Sequence, residues 1–371
     1  MKYGFFVVVF SIFAFFFGYV GFRGWQSLAL YPSARPTYIV SFLLLFICSM
    51  AGMIFGDDMP ASIAKVLTFT GYSFLLIVAY LFIVFLLVDV VRIANHFFHF
   101  AQSNMVSFRF WSSIVGLSVI IIAMIIGNYK FNHPEVVQLE LQSNKPFQNK
   151  KIRIVAASDI HLGTYIDKNY LKKYVQFIND QRPNIILLAG DICDRSLKPL
   201  IHQKMYEELH QLKAPLGVYA ILGNHEYYSQ NLQNTVLFYK DAGIVVLADS
   251  ISFVNNDFYL VGRKDRTDKN RQPLSTLLTT LEQDKPIILL DHQPLHLVEA
   301  AKNNVDLQIS GHTHEGQVFP ANLLVKSLFE NGYGYLKKGN THIYVSSGLG
   351  LWGPQYRIGT KSEIVVIDFK F

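Results

Sequence analysis

The first third of the chain contains four apolar runs, at residues 3–20, 38–55, 67–91 and 110–127. Each run approaches or exceeds the roughly 17–25 residues that a helix needs to cross about 30 Å of hydrocarbon. None of them has the polar face of a helix that packs on the surface of a soluble protein. The pattern therefore predicts an α-helical transmembrane bundle of about four helices over residues 1–132.

The first run has a second interpretation as a cleaved signal peptide, because Lys2 precedes its apolar stretch. No cleavage site of the small-x-small kind follows it, and three more apolar runs come after it. The four-helix interpretation is therefore preferred, and the chain is expected to be a multi-pass integral membrane protein.

The net positive charge of the chain comes largely from this third. Residues 1–132 hold seven Lys or Arg and three Asp, whereas the remainder holds 26 basic and 24 acidic residues. The basic residues flank the apolar runs, which is typical of membrane borders and not of a nucleic-acid-binding stripe, so no nucleic-acid partner is expected. With Lys145 included, they divide four against four between alternate segments, and the positive-inside rule assigns no orientation.

Asp89 lies near the end of the third apolar run, where an ionisable residue is costly and needs a partner. Its expected role is an interfacial charge paired with Arg92 or Arg23. His96 and His99 follow with neighbouring phenylalanines, and we interpret them as interfacial anchors and not as ligands.

From about residue 136 the pattern becomes that of an α/β domain. Short β-branched runs occupy residues 151–157, 184–188, 217–222, 287–290, 307–310 and 342–346. Helical stretches lie between them, near residues 168–180, 200–212 and 231–242, and residues 136–141 predict an edge strand. Apolar strands separated by helices indicate sheets that are buried on both faces. We therefore place a second domain at residues 133–371.

Polar residues of the kind that bind metals follow five of these strands. They are Asp159, His161, Asp191, Asp194, Asn224, His225, Asp291, His292, His312 and His314, with Gly190, Gly223 and Gly311 in the same turns. Sites in open α/β folds assemble where strands end and loops begin. Each motif alone is weak, but five of them at five strand ends predict one shared site.

The chemistry of this set favours a paired-metal site. Its members exceed the four to six ligands that one divalent ion takes, and mixed carboxylate, imidazole and amide ligands suit Zn, Mn or Fe better than Ca or an all-oxygen Mg site. A carboxylate on a tight Gly-Asp turn can bridge two ions about 3.5–4 Å apart. Two such ions lower the pKa of a bridging water and neutralise charge on a phosphoryl oxygen.

The order of these motifs resembles the calcineurin-like metallophosphoesterase superfamily over about residues 136–371. The resemblance implies a four-layer αββα sandwich with a binuclear centre at the sheet edges. The segments around residues 262–266, 311–317 and 345–350 further resemble the membrane-associated branch of transmembrane proteins with a metallophosphoesterase domain. Glu315 stands where many members have another glycine, which affects the rim of the pocket and not the ligands.

The resemblance also implies roles for individual residues. One divalent ion (Mn, Zn, Fe or Mg) would be held by Asp159, His161, Asp191 and His314. The other would be held by Asp191, Asn224, His292 and His312. His225 would contact the phosphate or protonate the leaving oxygen, and Asp194 would orient His225. A hydroxide held between the ions would attack phosphorus in line.

Together the two halves predict a membrane-anchored, metal-dependent phosphoesterase that acts on a phosphodiester or pyrophosphate bond, with a lipid or lipid-linked substrate and the bilayer as its partners. Two alternatives stay open: a UDP-2,3-diacylglucosamine pyrophosphate hydrolase of lipid A synthesis, and a non-catalytic membrane sensor or scaffold. The resemblance favours the bacterial inner membrane.

Four further residues attract attention. Arg263 and Arg266 are interpreted either as hydrogen-bond donors to a substrate phosphate or as plain surface residues. Trp352 and Tyr356 are interpreted either as the lining of an apolar groove or as residues that pack against the last strand.

Overall fold

The computed structural model of the protein describes residues 2–56, 59–99, 105–145, 150–229 and 231–371, and the side chains of these residues except 2–13 and 61. Within these ranges the chain forms two compact units. One comprises residues 1–126 and 353–355, and the other comprises residues 127–352 and 356–371.

The first unit is built from long helices: α1 (Lys2–Ser27), α2 (Arg35–Phe55), α3 (Ala61–Phe98) and most of α4 (Met105–Asn132). Among the described residues, three helices at Pro32–Phe55, Ser62–Phe98 and Met105–Asn132 are long and apolar enough to cross a membrane. The predicted span at residues 3–20 lies within α1, but most of its side chains fall outside the described part. That span therefore stays a prediction.

Small residues bring α2 and α3 close together. The hydroxyl of Ser49 donates to the carbonyl of Gly71 at 3.2 Å, and a β-carbon on Gly71 would lie only 2.7 Å from the α-carbon of Ser49. Such contacts let the backbones of apolar helices approach where lipid leaves no hydrophobic driving force between them.

The second unit contains two six-stranded mixed sheets. The first has the order β1 (Glu135–Gln142), β12 (Glu363–Lys370), β2 (Lys151–Ala157), β3 (Ile185–Ala189), β4 (Val218–Ile221) and β5 (Val245–Val246). The second has the order β10 (Gly334–Lys338), β11 (Thr341–Val345), β9 (Leu307–Ser310), β8 (Ile287–Leu290), β7 (Phe258–Gly262) and β6 (Ser250–Val254).

Eight shorter helices complete this unit. They are α5 (Lys168–Asn179), α6 (Lys198–His202), α7 (Met205–Leu209), α8 (Asn224–Tyr228), α9 (Leu232–Asp241), α10 (Leu274–Leu278), α11 (Val298–Lys302) and α12 (Ala321–Leu328), counted within the ranges given above. The predicted helix at 200–212 is wrong in one respect: it is divided into α6 and α7, because Lys204 takes a left-handed conformation with φ 50°.

Alternation along the strands creates the layers. In β2, Ile154 and Ala156 face a core shared with β8 and β9 of the other sheet, whereas Val155 and Ala157 face the helices α5, α7 and α9. On the far side, β7 and β8 bury alternate residues against α10 and α11. The order helix, sheet, sheet, helix confirms the predicted four-layer αββα class, preceded by apolar helices.

The strand directions place the site. β2, β3 and β4 are parallel, as are β7, β8 and β9, so within each set the carboxyl ends share one edge of the sheet. β1 is an edge strand, as predicted, and its neighbour is β12.

Candidate metal centre

The loops at these carboxyl ends bring the predicted site residues together. Asp159 and His161 follow β2, Asp191 and Asp194 follow β3, and Asn224 and His225 begin α8 after β4. From the second sheet, His292 follows β8, and His312 and His314 follow β9. Among the described residues, their potential ligand atoms form three overlapping groups within 4.8 Å of one another.

The first group consists of Asp159, His161 and His314. The Nε2 atoms of the two histidines are 3.1 Å apart, and Nε2 of His314 is 3.5 Å from Oδ1 of Asp159. Two imidazole nitrogens and a carboxylate oxygen therefore face one small volume. A cation placed between them would satisfy all three.

The second group consists of Asp191, His292 and His312. Nε2 of His292 is 3.2 Å from Oδ2 of Asp191, and Nδ1 of His312 is 2.8 Å from Oδ1 of Asn224. The third group joins the other two, because it contains His161, Asp191 and His225. Asp191 is thus close to histidines of both other groups: its Oδ2 is 3.9 Å from Nε2 of His161 and 3.2 Å from Nε2 of His292.

The ring of His292 shows that this donor set fits a metal. Its Nδ1 donates to the carbonyl oxygen of Ala189 at 2.8 Å, which fixes a proton on Nδ1 and leaves Nε2 as the ring nitrogen that faces Asp191. That Nε2 is buried and has only its ionic contact with Asp191, and Nδ1 of His161 and of His314 are buried without a hydrogen-bond partner in the described part of the chain. Buried imidazoles of this kind, beside ionised carboxylates, are suitable ligands for a divalent ion.

The neighbouring charges shift the pKa values of several candidate ligands. Burial raises the pKa of Asp191, but the adjacent His292 outweighs it and holds the pKa well below its usual value. Burial lowers the pKa of His314, and the positive charges of His161 and Arg357 lower it further. Asp191 is therefore ionised and His314 neutral, whereas the neighbouring carboxylates outweigh burial and raise the pKa of His161 and of His292. A divalent ion would take the place of the protons on these two imidazoles.

The backbone of the site is strained. Five candidate ligands have positive φ values between 50° and 73°: Asp159, His161, Asp191, His312 and His314. Left-handed conformations at non-glycine residues cost of the order of 1–3 kcal/mol each and concentrate at functional sites. The surrounding fold must supply that free energy.

Two glycines of the motifs are required because a carboxylate oxygen lies very close to each of them. A β-carbon on Gly223 would lie 2.1 Å from Oδ1 of Asp191, and one on Gly311 would lie 2.3 Å from Oδ2 of Asp159. Any side chain at these positions would displace a candidate ligand.

Glu226 connects the two loops that carry Asp191 and Asn224. Its fully buried carboxylate accepts hydrogen bonds from the backbone N–H groups of Asp191, Cys193 and Gly223 and from the hydroxyl of Tyr239, at 2.8–3.1 Å. Burial and the neighbouring Asp191 raise the pKa of Glu226 to about 7.

His225 and Asp194 lie at the open side of the site. Nδ1 of His225 is 2.8 Å from Oδ1 of Asp194. Burial raises the pKa of Asp194, but the imidazoles of His161 and His225 outweigh it and hold the pKa below its usual value. The contact agrees with the orienting role expected for Asp194, although that role stays a prediction.

A cleft of about 540 Å³ opens over these groups. Its lining residues are Asp191, Arg195, Asn224, His225, Tyr228, His312, His314 and Trp352. Trp352 is 47% exposed and lines this polar cleft, whereas Tyr356 is buried, so of the two alternatives considered for this pair, packing describes Tyr356. Arg195 is exposed at the cleft and was not selected from the sequence, although it directly follows Asp194.

Two arginines, of which Arg263 is buried, support the loop that carries His292. Arg263 is 4% exposed and pairs with Asp291 at 3.3 Å, and Arg271 contacts both oxygens of Asp291, the residue before His292. Neither role considered for Arg263, phosphate donor or surface residue, fits this position. Arg266 donates to the carbonyl of Leu295 at 3.0 Å.

Arg357 supports another loop and was missed by sequence reasoning. Its guanidinium is fully buried and donates to the carbonyl oxygens of His314, Gly348 and Gly350. Burial lowers its pKa to about 10. No local pattern marks this residue, because its partner His314 lies 43 positions away.

Comparison with known proteins agrees with the geometry. The family model described as Calcineurin-like phosphoesterase matches residues 152–316. The chain is 33% identical to an uncharacterized metallophosphoesterase of Campylobacter jejuni over 70% of this chain and 69% of that protein. It is 30% identical to an uncharacterized metallophosphoesterase of Aquifex aeolicus, over 67% of this chain and 98% of that protein.

A transmembrane protein with metallophosphoesterase domain from Danio rerio is also 30% identical, over 73% of this chain and 65% of that protein. The first two matches cover more than two thirds of the relatives' own length. The chain therefore belongs to the calcineurin-like phosphoesterases, and it is a metal-dependent phosphoester hydrolase of that family.

Proposed function

We propose that the chain is a membrane-anchored phosphoesterase with a binuclear metal centre that hydrolyses a phosphodiester or pyrophosphate bond in a lipid or lipid-linked substrate. The observation that carries the proposal is the position of Asp191 in two groups of potential ligands, with His161 and His225 in one and His292 and His312 in the other. In this proposal residues 1–132 anchor the protein in a membrane, the bacterial inner membrane by resemblance, and residues 133–371 form the catalytic domain.

The proposed site retains the assignments made from the sequence. The metal ligands are Asp159, His161, Asp191, Asn224, His292, His312 and His314. The bound ions are two divalent cations, Mn, Zn, Fe or Mg. When bound, such ions supply Lewis acidity toward a phosphoryl oxygen and lower the pKa of the attacking water.

The protein's own residues complete the reaction. With Nδ1 of His225 engaged by Asp194, Nε2 is the ring nitrogen that can give a proton to the leaving oxygen. His225 lines the cleft, so the substrate reaches it directly. Arg195 in the same cleft places a positive charge where a phosphate would lie.

An exposed apolar helix supports a substrate with a long hydrocarbon chain. No residue of α12 is buried, and Leu323, Leu324 and Leu328 are more than half exposed. The helix lies next to the site, since the ring of Phe329 at its end is 6.5 Å from the ring of His312. Exposed leucines beside a catalytic cleft are typical of a surface that binds apolar ligands.

The two alternatives are less well supported. A sensor or scaffold without turnover does not need the full set of ligands, whereas all seven are present and converge here. None of the three relatives described above is named for hydrolysis of UDP-2,3-diacylglucosamine.

The direct test is hydrolysis of bis-p-nitrophenyl phosphate by the full chain in detergent, without metal and with Mn, Zn or Mg. We expect metal-dependent turnover that disappears in Asp191→Asn and persists in Asp180→Asn, which alters an exposed aspartate outside the site. Bound metal without turnover would favour a sensor. Absence of bound metal would contradict the proposal.

The lipid part of the proposal has its own test. We compare p-nitrophenyl phosphodiesters that carry either an ethyl or a hexadecyl group. The double variant Leu323→Ser/Leu324→Ser is expected to lower kcat/KM for the hexadecyl substrate only. Leu237→Ser, which alters an exposed leucine of α9, is the control. Equal losses on both substrates would show that α12 does not recognise the chain.

A further inference from the structure

A group of charged residues in the first unit is not used by the proposed hydrolysis. Asp89 accepts hydrogen bonds from Tyr19, Arg23 and Arg92 at 2.5–2.9 Å, so the pairing expected from the sequence is present with both arginines. Arg109 on α4 joins this group, because α4 packs against α1 here: the hydroxyl of Ser113, one turn after Arg109, donates to the hydroxyl of Ser27, one turn after Arg23, at 2.7 Å. We name Arg23, Asp89, Arg92 and Arg109 the arginine cluster.

The charges of the arginine cluster do not balance. The cluster contains three guanidinium groups and one carboxylate, a formal net charge of +2, and only Arg23 and Arg92 contact the carboxylate directly. The side chains of Arg23, Asp89 and Arg92 are only 24%, 15% and 31% exposed. The Nε atoms of Arg23 and Arg109 are buried and have no hydrogen-bond partner among the described residues. Partly buried cations with unused donors are costly unless an anion accompanies them.

Helix lengths place the arginine cluster at one border of the apolar segments. Arg109 and Lys130 on α4 are 21 residues apart, or about 32 Å along a helix, close to the thickness of a hydrocarbon core. Arg23 lies near the end of α1, and Asp89 and Arg92 lie in the last third of α3. Because consecutive helices alternate in direction when they span a bilayer, all four residues reach the same border. That is the level of lipid phosphates.

We propose that the arginine cluster binds a phosphate group, either of an anionic lipid headgroup or of a free phosphate ion. Guanidinium groups bind phosphate with paired hydrogen bonds, and the two unused Nε donors belong to residues on different helices. A single phosphate would offset the excess charge and connect α1, α3 and α4. This site is independent of the metal centre and rests only on the proposal that the helices span a membrane.

The test is native mass spectrometry of the full chain in mild detergent. The protein is titrated with short-chain phosphatidylglycerol, with inorganic phosphate, and with a diacylglycerol of the same chain length that has no phosphate. Three variants are compared: Arg109→Gln, Arg109→Lys and the control Arg35→Gln. Arg35 begins α2 on the same border but stacks on Trp25, outside the cluster. Hydrolysis of bis-p-nitrophenyl phosphate checks that each variant is folded.

One phosphatidylglycerol or one phosphate per chain is expected to bind the wild type and Arg35→Gln. Arg109→Gln should bind about tenfold more weakly or worse, because a charge-assisted pair of hydrogen bonds is lost, and Arg109→Lys should be intermediate. Tighter binding of phosphatidylglycerol than of inorganic phosphate would show that the bound phosphate belongs to a lipid. Tighter binding of inorganic phosphate would show that it is a soluble anion. Equal binding by wild type and Arg109→Gln, equal loss in Arg35→Gln, or equal binding of diacylglycerol would overturn the proposal.

Discussion

Glu226→Gln tests whether one buried carboxylate holds the metal-ligand loops together. Oε2 of Glu226 accepts from the N–H groups of Asp191 and Gly223, and Oε1 accepts from the N–H of Cys193 and the hydroxyl of Tyr239. A glutamine has one oxygen only, so its NH₂ group must replace one of these acceptors. It is best placed at the Oε1 position, because the hydroxyl of Tyr239 can rotate and accept.

The N–H of Cys193 then has no acceptor. A buried donor without a partner costs about 1–3 kcal/mol, and a domain of this size loses about 2–4 °C of Tm for each kcal/mol. Glu226→Ala, which removes all four bonds, should cost more. Tyr239→Phe, which removes one donor and leaves the carboxylate three others, is expected to cost about 0.5–1.5 kcal/mol.

The assay is thermal unfolding of the full chain at pH 8, where the carboxylate is ionised, combined with the metal content per chain. A second readout follows from pH. Because the pKa of Glu226 is raised from 4.5 to about 7 in the folded, metal-free protein, the folded state binds the extra proton between these values. The contribution of Glu226 to the free energy of unfolding is therefore fully present below about pH 4.5 and falls as the pH rises toward about 7.

Glutamine does not titrate, so this part of the pH dependence should disappear in the variant. The reasoning is refuted if Glu226→Gln unfolds at the wild-type temperature, keeps its full metal content and retains the wild-type pH dependence. Loss of stability without loss of metal would show instead that the carboxylate supports the fold but not the ligand loops.

Other changes test other parts of the site. Gly223→Ala places a β-carbon against the Asp191 carboxylate, so metal affinity should fall about tenfold or more, as it does when residues that orient metal ligands are changed. Elemental analysis at limiting free metal should then show less metal per chain. Asp194→Asn should lower kcat about 10²-fold or more while bound metal is unchanged, because it removes the partner of His225 and not a ligand; equal losses of metal and activity would contradict this. Chelation with EDTA should lower Tm, and Mn or Zn should restore it in proportion to the logarithm of free metal concentration, since ligand binding stabilises the folded state.

Much of the architecture follows from local sequence. The strands β3 and β8 are continuous apolar runs, and β2 and β9 are rich in apolar residues. A ligand residue follows each strand within two positions, so the position of Asp159 or His312 could be predicted from its neighbours alone. The apolar helices were equally visible, because their length and lack of charge are properties of short windows.

Other features depend on distant contacts and left no local signal. Arg357 lies in a loop rich in glycine and aromatic residues, and only the fold brings its guanidinium to the carbonyl of His314. The pairing of Arg271 with Asp291 likewise crosses 20 positions. The division of residues 198–209 into α6 and α7 depends on the backbone of Lys204, a residue type that does not normally mark a left-handed position.

The place of β12 has a consequence for biosynthesis. This strand, at Glu363–Lys370, lies between β1 and β2, which precede it by more than 200 residues, with β1 parallel and β2 antiparallel to it. During translation, β1 emerges directly after the apolar helices, yet its neighbour in the sheet is made much later. Contacts of such long sequence separation form slowly. Until the ribosome has delivered β12, β1 therefore has no neighbour in its sheet, and this edge of the sheet can close only after nearly the whole chain has been made.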